Sequence, residues 1–218
     1  MSAGLAATVL ATARAMNASG INRGSAGNVS ARCVPGDGAF LVTPTGMAYD
    51  ACDDGDMVFV GLDGRVAGRR KPSSEWRFHR DIYAARPEAG AIVHAHSPFA
   101  VSLACMGFAV PPFHYMVARF GGKDVRCADY ATFGSQELSD AVVAALAGRN
   151  GCLMAHHGMV VFGGDLDEAL ALAVELETLS EQYWRVLQIG QPRLLADDEV
   201  ARVLVKFRDY GRQDAPER

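Results

Sequence analysis

The hydrophobic patterning of this chain changes character once, near Pro72. Before it, apolar runs of strand length follow one another directly at 28–33, 40–43 and 57–62. They are punctuated by Pro35-Gly36-Asp37-Gly38, Thr45-Gly46 and Asp63-Gly64, residue pairs that turn the backbone. After it, strand-like runs alternate with segments of helical spacing. Ser73 is placed to cap a helix through Trp76, Phe78, Ile82 and Tyr83, which the Arg86-Pro87 pair and Gly90 end; a buried strand follows at 91–96. Ser97-Pro98 opens the next helix, and Ser135 opens another through Leu138, Val142, Val143 and Leu146. Runs at 152–156 and 159–162 read as strands either side of His157-Gly158. Asp165 with Glu168 has the spacing of a capping box ahead of a helix to about residue 189. A helix at the start (Leu5, Ala6, Val9, Leu10, Ala13, Met16, stopped by Gly20) and one at 197–210, stopped by Gly211, complete the pattern. Strands in series and then strands interleaved with helices call for one mixed sheet with helices on its faces, an α/β fold.

With 218 residues and no internal repeat, low-complexity tract or linker, the chain reads as a single domain spanning 1–218. Half the residues are hydrophobic and 21% charged, the balance of a globular protein. A net charge of -4 supplies no basic field for a phosphate backbone, so no nucleic acid partner is expected. Cys33, Cys52, Cys105, Cys127 and Cys152 are scattered without a CxxC pair and read as reduced, core-filling thiols. No apolar run reaches the roughly 18–20 residues of a membrane span. The apolar N-terminus lacks a basic lead-in and carries Arg14 within its pattern, unlike a signal peptide. The expected setting is the cytoplasm, with no membrane association.

Chemistry enters with the six histidines. His94 and His96 sit two apart in AIVHAH, and side chains at i and i+2 of a strand share a face, so both imidazoles can reach one ion. A catalytic zinc site commonly draws a third protein ligand from His, Cys, Asp or Glu and keeps a position open. The candidates are the His156-His157 pair, of which at most one can join the cluster if both lie on a strand, and Glu75. Periodicity does not choose between them. Glu75 also stands four residues before His79, where an intrahelical hydrogen bond is the simpler expectation. His114, beside Tyr115, reads as structural.

Three further segments, 24–28, 43–46 and Ser73-Ser74, combine glycines, hydroxyls and backbone N–H groups in the way anion sites do, most plausibly for a phosphate. Neither a Walker A nor a GxGxxG signature is present, so a nucleotide is not indicated.

Taken in order, GSAGNVSAR (24–32), TPTGM (43–47), PSSEWRFH (72–79), AIVHAHSPFAVSLA (91–104), FHYM (113–116), DYATFGSQEL (129–138) and AHHGMVVFG (155–163) resemble the class II aldolase/adducin family, and within it the L-fuculose-phosphate aldolase branch. The resemblance implies a three-layer α/β/α domain around a mainly antiparallel sheet, assembled as a homotetramer with active sites between subunits. It implies Zn²⁺, or another divalent metal, held by His94, His96 and His157, with Glu75 as a ligand that leaves when substrate arrives. Gly27, Asn28, Thr45, Gly46, Ser73 and Ser74 correspond to the family's phosphate pocket. Tyr115 corresponds to a catalytic tyrosine reaching in from the adjacent subunit, and Phe133 and Tyr210 to residues enclosing the substrate.

The implied reaction is reversible cleavage of a phosphorylated ketose to dihydroxyacetone phosphate and an aldehyde such as lactaldehyde, through a metal-stabilised enediolate with Glu75 moving the proton. Pentulose-phosphate epimerases, sugar-acid-phosphate decarboxylases and methylthio-sugar-phosphate dehydratases share the metal histidines. The HHG segment is similar to the aldolases rather than the epimerases. A non-catalytic binding module of the adducin kind would have no need of the four filled ligand positions.

Overall fold

The computed structural model describes residues 3–33, 38–208 and 210. Apart from Gly38, the turn expected at 35–38 lies outside the described residues, as does the stop expected at Gly211.

In chain order the elements are α1 (Ala3–Ala18), β1 (Asn28–Arg32), β2 (Ala39–Val42), β3 (Val58–Gly61), β4 (Val66–Ala67), α2 (Trp76–Ala85), β5 (Ala91–Ala95), α3 (Pro98–Cys105), a 3₁₀ helix (Tyr115–Phe120), β6 (Cys127–Ala128), α4 (Gln136–Ala145), β7 (Gly151–Met154), β8 (Gly158–Gly163), α5 (Leu166–Ile189) and α6 (Asp197–Phe207). The eight strands form one sheet in the order β4-β3-β2-β1-β5-β8-β7-β6. Every neighbouring pair is antiparallel except β6–β7. The edge strands β4 and β6 are two residues long, too short for alternation to betray them in the sequence.

Helices cover both faces, which gives the three-layer α/β/α architecture. On one face α1, α3 and α5 enclose a core that includes Leu10, Met16, Val93, Leu103 and Leu176. On the other, α2 and α4 close over Phe40, Phe78, Ile92, Leu138 and Phe162. Alternation along β5 divides its residues between the layers: Ala91, Val93 and Ala95 join the first core, while Ile92 joins the second. His94 follows Ile92, its ring 5.4 Å from that of Phe78 on α2. A strand buried on both sides has no solvent face to mark with polar residues, so this segment reads as a continuous apolar run that a single histidine interrupts.

Two capping expectations are corrected. Glu75, not Ser73, is the residue preceding the first turn of α2, because the chain turns through Ser74 and Glu75 before the helix begins. The Ser73 hydroxyl instead accepts from the Glu75 N–H at 3.3 Å and from Asn28 Nδ2 at 3.0 Å. At α5, Asp165 accepts from the Glu168 N–H at 2.8 Å, but the Glu168 carboxylate turns outward to the Gly164 N–H at 2.7 Å, leaving the box half formed.

Gly158 opens β8 where that strand meets the end of β5. A Cβ added there would lie 2.5 Å from the Ala95 carbonyl oxygen and 3.2 Å from the His96 ring. Backbone cannot yield as a side-chain tip does, so Gly158→Ala should lower stability by about 1–3 kcal/mol. Gly38→Ala, where an added Cβ meets nothing within 4 Å, should leave it unchanged. Thermal midpoints at one protein concentration test both; equal midpoints for the two variants would contradict the close approach.

Candidate metal centre

The centre is assembled from three segments on the α2 side of the sheet. β5 supplies His94 from its interior, and His96 follows one residue past its end. Glu75 comes from the bend ahead of α2, and His157 from the tight turn joining β7 to β8. One ligand atom from each of these four residues lies within 4.8 Å of every other. The three imidazole rings meet almost at right angles, with centroids 4.8 to 4.9 Å apart. His94 Nε2 is 3.0 Å from His96 Nε2 and 3.1 Å from Glu75 Oε2, and His157 Nε2 is 3.0 Å from Glu75 Oε1.

The hydrogen bonding outside the cluster fixes what these atoms are. His94 Nδ1 is 2.8 Å from the Met159 carbonyl oxygen, which only accepts, so Nδ1 carries the proton and Nε2 presents a lone pair. That lone pair faces a second imidazole nitrogen and a carboxylate oxygen. Glu75 is 5% exposed, and its Oε1 is the one buried side-chain nitrogen or oxygen among the described residues without a hydrogen-bond partner. Acceptors this close repel one another unless a cation lies among them. Ligand atoms arranged tetrahedrally about zinc at about 2.0–2.1 Å stand roughly 3.3 Å apart, close to the separations here. The donor set of three nitrogens and one carboxylate, with no thiolate, suits zinc or a similar divalent ion.

The electrostatics agree. Burial pushes the Glu75 carboxyl up, but the closeness of the His94 and His157 imidazoles, when they carry positive charge, outweighs it and holds the group well below the ordinary carboxylate range. His96 is pushed down to about 4 by burial and by the neighbouring His94 and His157, so its imidazole is neutral and free to ligate at neutral pH.

His156 stays out of the cluster, for a reason that strand alternation did not supply. Residues 155–157 form a turn rather than a strand end, and His156 has φ 55°, in the left-handed region that non-glycine residues rarely adopt. That turn sends His157 to the ligands, while His156 is exposed, its ring 5.8 Å from that of Tyr130. His79 also differs from expectation: with Glu75 outside the helix, it bonds Asn28 and Ser30. Burial, followed by the nearby His94, pushes the His79 imidazole down to about 3. His114 caps the 3₁₀ helix by accepting from the Met116 N–H, a structural role as read.

The glycine- and hydroxyl-rich segments meet beside this cluster. Asn28 Nδ2 donates to both Ser73 Oγ and Glu75 Oε2, each at 3.0 Å. The Ser73 N–H donates to the Thr43 carbonyl at 3.0 Å and the Thr45 N–H to Lys71 at 3.1 Å, tying the loop that carries Thr45 and Gly46 to the one that carries Ser73 and Ser74. Gly27 is pressed against the His94 carbonyl and Asn22, leaving no space for a side chain. Glu75, His96 and His157 open onto a cavity of about 330 Å³, whose walls include Ser74, Phe133 and Tyr130. Tyr115 is not among them. It is 53% exposed and stacks on Phe207, which in turn meets Tyr210.

Sequence reasoning missed Asn22, Ser30, Tyr83 and Tyr130. For Ser30 a signal existed, since it lies two residues beyond Asn28 on one strand and therefore on the same face. For Tyr130 and Asn22, both in loops, none did.

Residues 7–184 match the model of the Class II Aldolase and Adducin N-terminal domain. A 5-methylthioribulose-1-phosphate/5-deoxyribulose-1-phosphate aldolase of Rhodospirillum rubrum is 53% identical over 91% of this chain and 89% of its own length. An L-fuculose phosphate aldolase of Escherichia coli is 41% identical over 95% of each chain. The solved structure of an L-fuculose 1-phosphate aldolase superposes with a TM-score of 0.92 at 32% identity, covering 95% of this chain and 98% of that one. With a family match over most of its length and aldolases as full-length relatives, the chain belongs to the class II aldolase and adducin N-terminal domain family and is an enzyme of the lyase class.

Proposed function

We propose that this enzyme reversibly cleaves a ketose 1-phosphate between C3 and C4, giving dihydroxyacetone phosphate and an aldehyde. The observation that carries the reading is the cluster of Glu75, His94, His96 and His157 opening onto a cavity beside the loops of Gly27, Asn28, Thr45, Gly46, Ser73 and Ser74. L-fuculose 1-phosphate, with lactaldehyde as product, is the substrate read from the sequence. The 53% identical relative favours a second reading, a 5-deoxy- or 5-methylthio-ribulose 1-phosphate. In either case the same end of the sugar is held and only the aldehyde differs.

In this reading His94, His96 and His157 hold a zinc ion, with Glu75 as the fourth ligand. When bound, the ion supplies a Lewis acid for the oxygens of the triose half. The backbone N–H groups and hydroxyls of the three loops bind the phosphate and keep the reacting carbons in register. Glu75, held ionised by its surroundings in the resting site, removes the C3 proton of dihydroxyacetone phosphate in the synthetic direction, and the carboxyl so protonated returns that proton to C3 when the reaction runs toward cleavage. Tyr115 acts at the C4 oxygen: its phenol gives a proton to the aldehyde oxygen as the C3–C4 bond forms, and its phenolate takes that proton back in cleavage. Its exposure and its absence from the walls of its own chain's cavity support a role in a neighbouring copy, within the homotetramer of single-domain subunits that the family resemblance implies. Phe133 and Tyr210 help to enclose the substrate. Among the described residues no helix is long and apolar enough to cross a membrane. We place the enzyme in the cytoplasm, a setting supported by cysteines scattered through the sequence without a CxxC pair.

Purified protein should carry about one divalent ion per chain, lose activity on chelation and regain it with added Zn²⁺. Presented with the three ketose phosphates, it should release dihydroxyacetone phosphate from at least one; release from none would remove the aldolase reading. Glu75→Gln should retain a bound ion yet exchange the C3 proton of dihydroxyacetone phosphate with solvent about 10²- to 10⁴-fold more slowly, as isotope incorporation reports. Tyr115→Phe and Glu75→Gln subunits, each nearly inactive alone, should regain part of the activity when dissociated and reassembled together. Absence of such complementation would place Tyr115 in its own subunit's site or outside the chemistry.

A further inference from the structure

Behind Glu75, on the α2 face of the sheet, lies a row of buried polar groups, and beyond Asn28 the proposed chemistry gives them no task. Asn28 and Ser30 point from β1, and His79 and Tyr83 point from α2 to meet them; His79 and Ser30 have no exposed surface. The contacts are continuous. Tyr83 Oη is 2.9 Å from Ser30 Oγ, Ser30 Oγ is 2.7 Å from His79 Nδ1, and His79 Nε2 is 2.5 Å from Asn28 Oδ1. Asn28 Nδ2 then reaches Glu75 Oε2 at 3.0 Å.

The order of protons in this row follows from its end. A carboxylate only accepts, so the Asn28 amide must turn its nitrogen to Glu75 and its oxygen to His79. His79 Nε2 is then the donor, its Nδ1 accepts from the Ser30 hydroxyl, and Ser30 accepts from Tyr83. Each group has one role and a partner for it. Without the Nε2–H, Asn28 Oδ1 is a buried acceptor that faces no donor. Turning the amide over would set Oδ1 against Glu75 Oε2, two acceptors in contact. Phe78 and Phe40 pack against the imidazole, with ring centroids 4.7 Å and 6.4 Å away, and leave it little freedom to tilt.

We propose that His79 is a positioning residue of the reaction: through its Nε2–H it orients the Asn28 amide, and through Asn28 it fixes the Glu75 carboxylate against the three imidazoles. This rests on the reading of Glu75 given above, as ligand and proton carrier. Asn28 also belongs to the proposed phosphate loops, so the same contact holds the two halves of the site, anion cradle and base, in one register.

Three substitutions separate this role from the filling of space. Glutamine places an amide N–H where Nε2 stands. Asparagine reaches only as far as Nδ1, and phenylalanine keeps the ring without any donor. The readouts are Zn²⁺ affinity, by competition with a chromophoric chelator, and solvent-proton exchange on dihydroxyacetone phosphate at saturation. His79→Gln should stay within about threefold of the parent in both, while His79→Asn and His79→Phe lose about tenfold or more, the range found for outer-shell partners of metal ligands. In the exchange assay the loss should fall on kcat more than on KM. Should His79→Phe fold poorly, the two amides, one methylene apart, still decide between the roles. Equal losses in all three variants, or unchanged zinc affinity in His79→Asn, would overturn the proposal. If the parent enzyme exchanges no proton, the reaction assigned above fails, and zinc affinity alone judges the positioning of Glu75.

Discussion

Four acceptors pressed together in a mostly buried place set the terms for the rest of this structure. The imidazoles of His94, His96 and His157 and the carboxylate of Glu75 converge to within 4.8 Å, and at the 3.0–3.1 Å of the nearest pairs lone pairs repel one another unless a cation lies between them. The surrounding layers hold them there. The antiparallel pairing of β5 with β8 brings the end of one strand to the start of the other, and the glycine at that junction lets the backbones meet. The bend ahead of α2 drops Glu75 onto the remaining side. Each ligand comes from the end or the interior of an element that is itself packed, so the geometry is kept by the core rather than by the ligands.

The sheet divides its labour between faces. The α1, α3 and α5 side is a mainly apolar core, rich in Leu, Val and Ala, that also takes in Tyr49 and Cys52. The α2 and α4 side carries the polar row from Tyr83 to Glu75 and, at its end, the cluster. Register accounts for this arrangement. Asn28 pairs with His94 and Ser30 with Ile92 across β1 and β5, so residues of matching parity on the two strands fall on the same side. A slip of one residue would turn His94 into the apolar core and the cluster would not exist.

Much of this was legible in the sequence because periodicity and turn chemistry are local. The H-x-H spacing in AIVHAH announced two ligands on one face, and the alternation of strands and helices after Pro72 announced a sheet covered on both sides. Resemblance to a family, carried by ordered motifs, singled out His157 and Glu75 where spacing left the choice open. The errors were local as well. Ser73 has the chemistry of a helix cap, yet it is drawn aside by Asn28 on a strand 45 residues earlier in the chain. Asp165 and Glu168 have the spacing of a capping box, but the Gly164 N–H offered the Glu168 carboxylate a better partner.

By itself the sequence determined which residues carry chemistry, which runs are strands or helices, and which side chains share a face, since these depend on neighbours a few positions apart. Only the tertiary structure showed how His157 rather than His156 turns inward, through a left-handed residue in the β7–β8 turn, a choice that strand alternation left open. Only it showed that His79 answers to Asn28 instead of Glu75, and that Tyr115 stands away from the cavity of its own chain. Hydrogen-bond partners far apart in sequence are chosen by how elements pack, and that choice is fixed by the whole core at once.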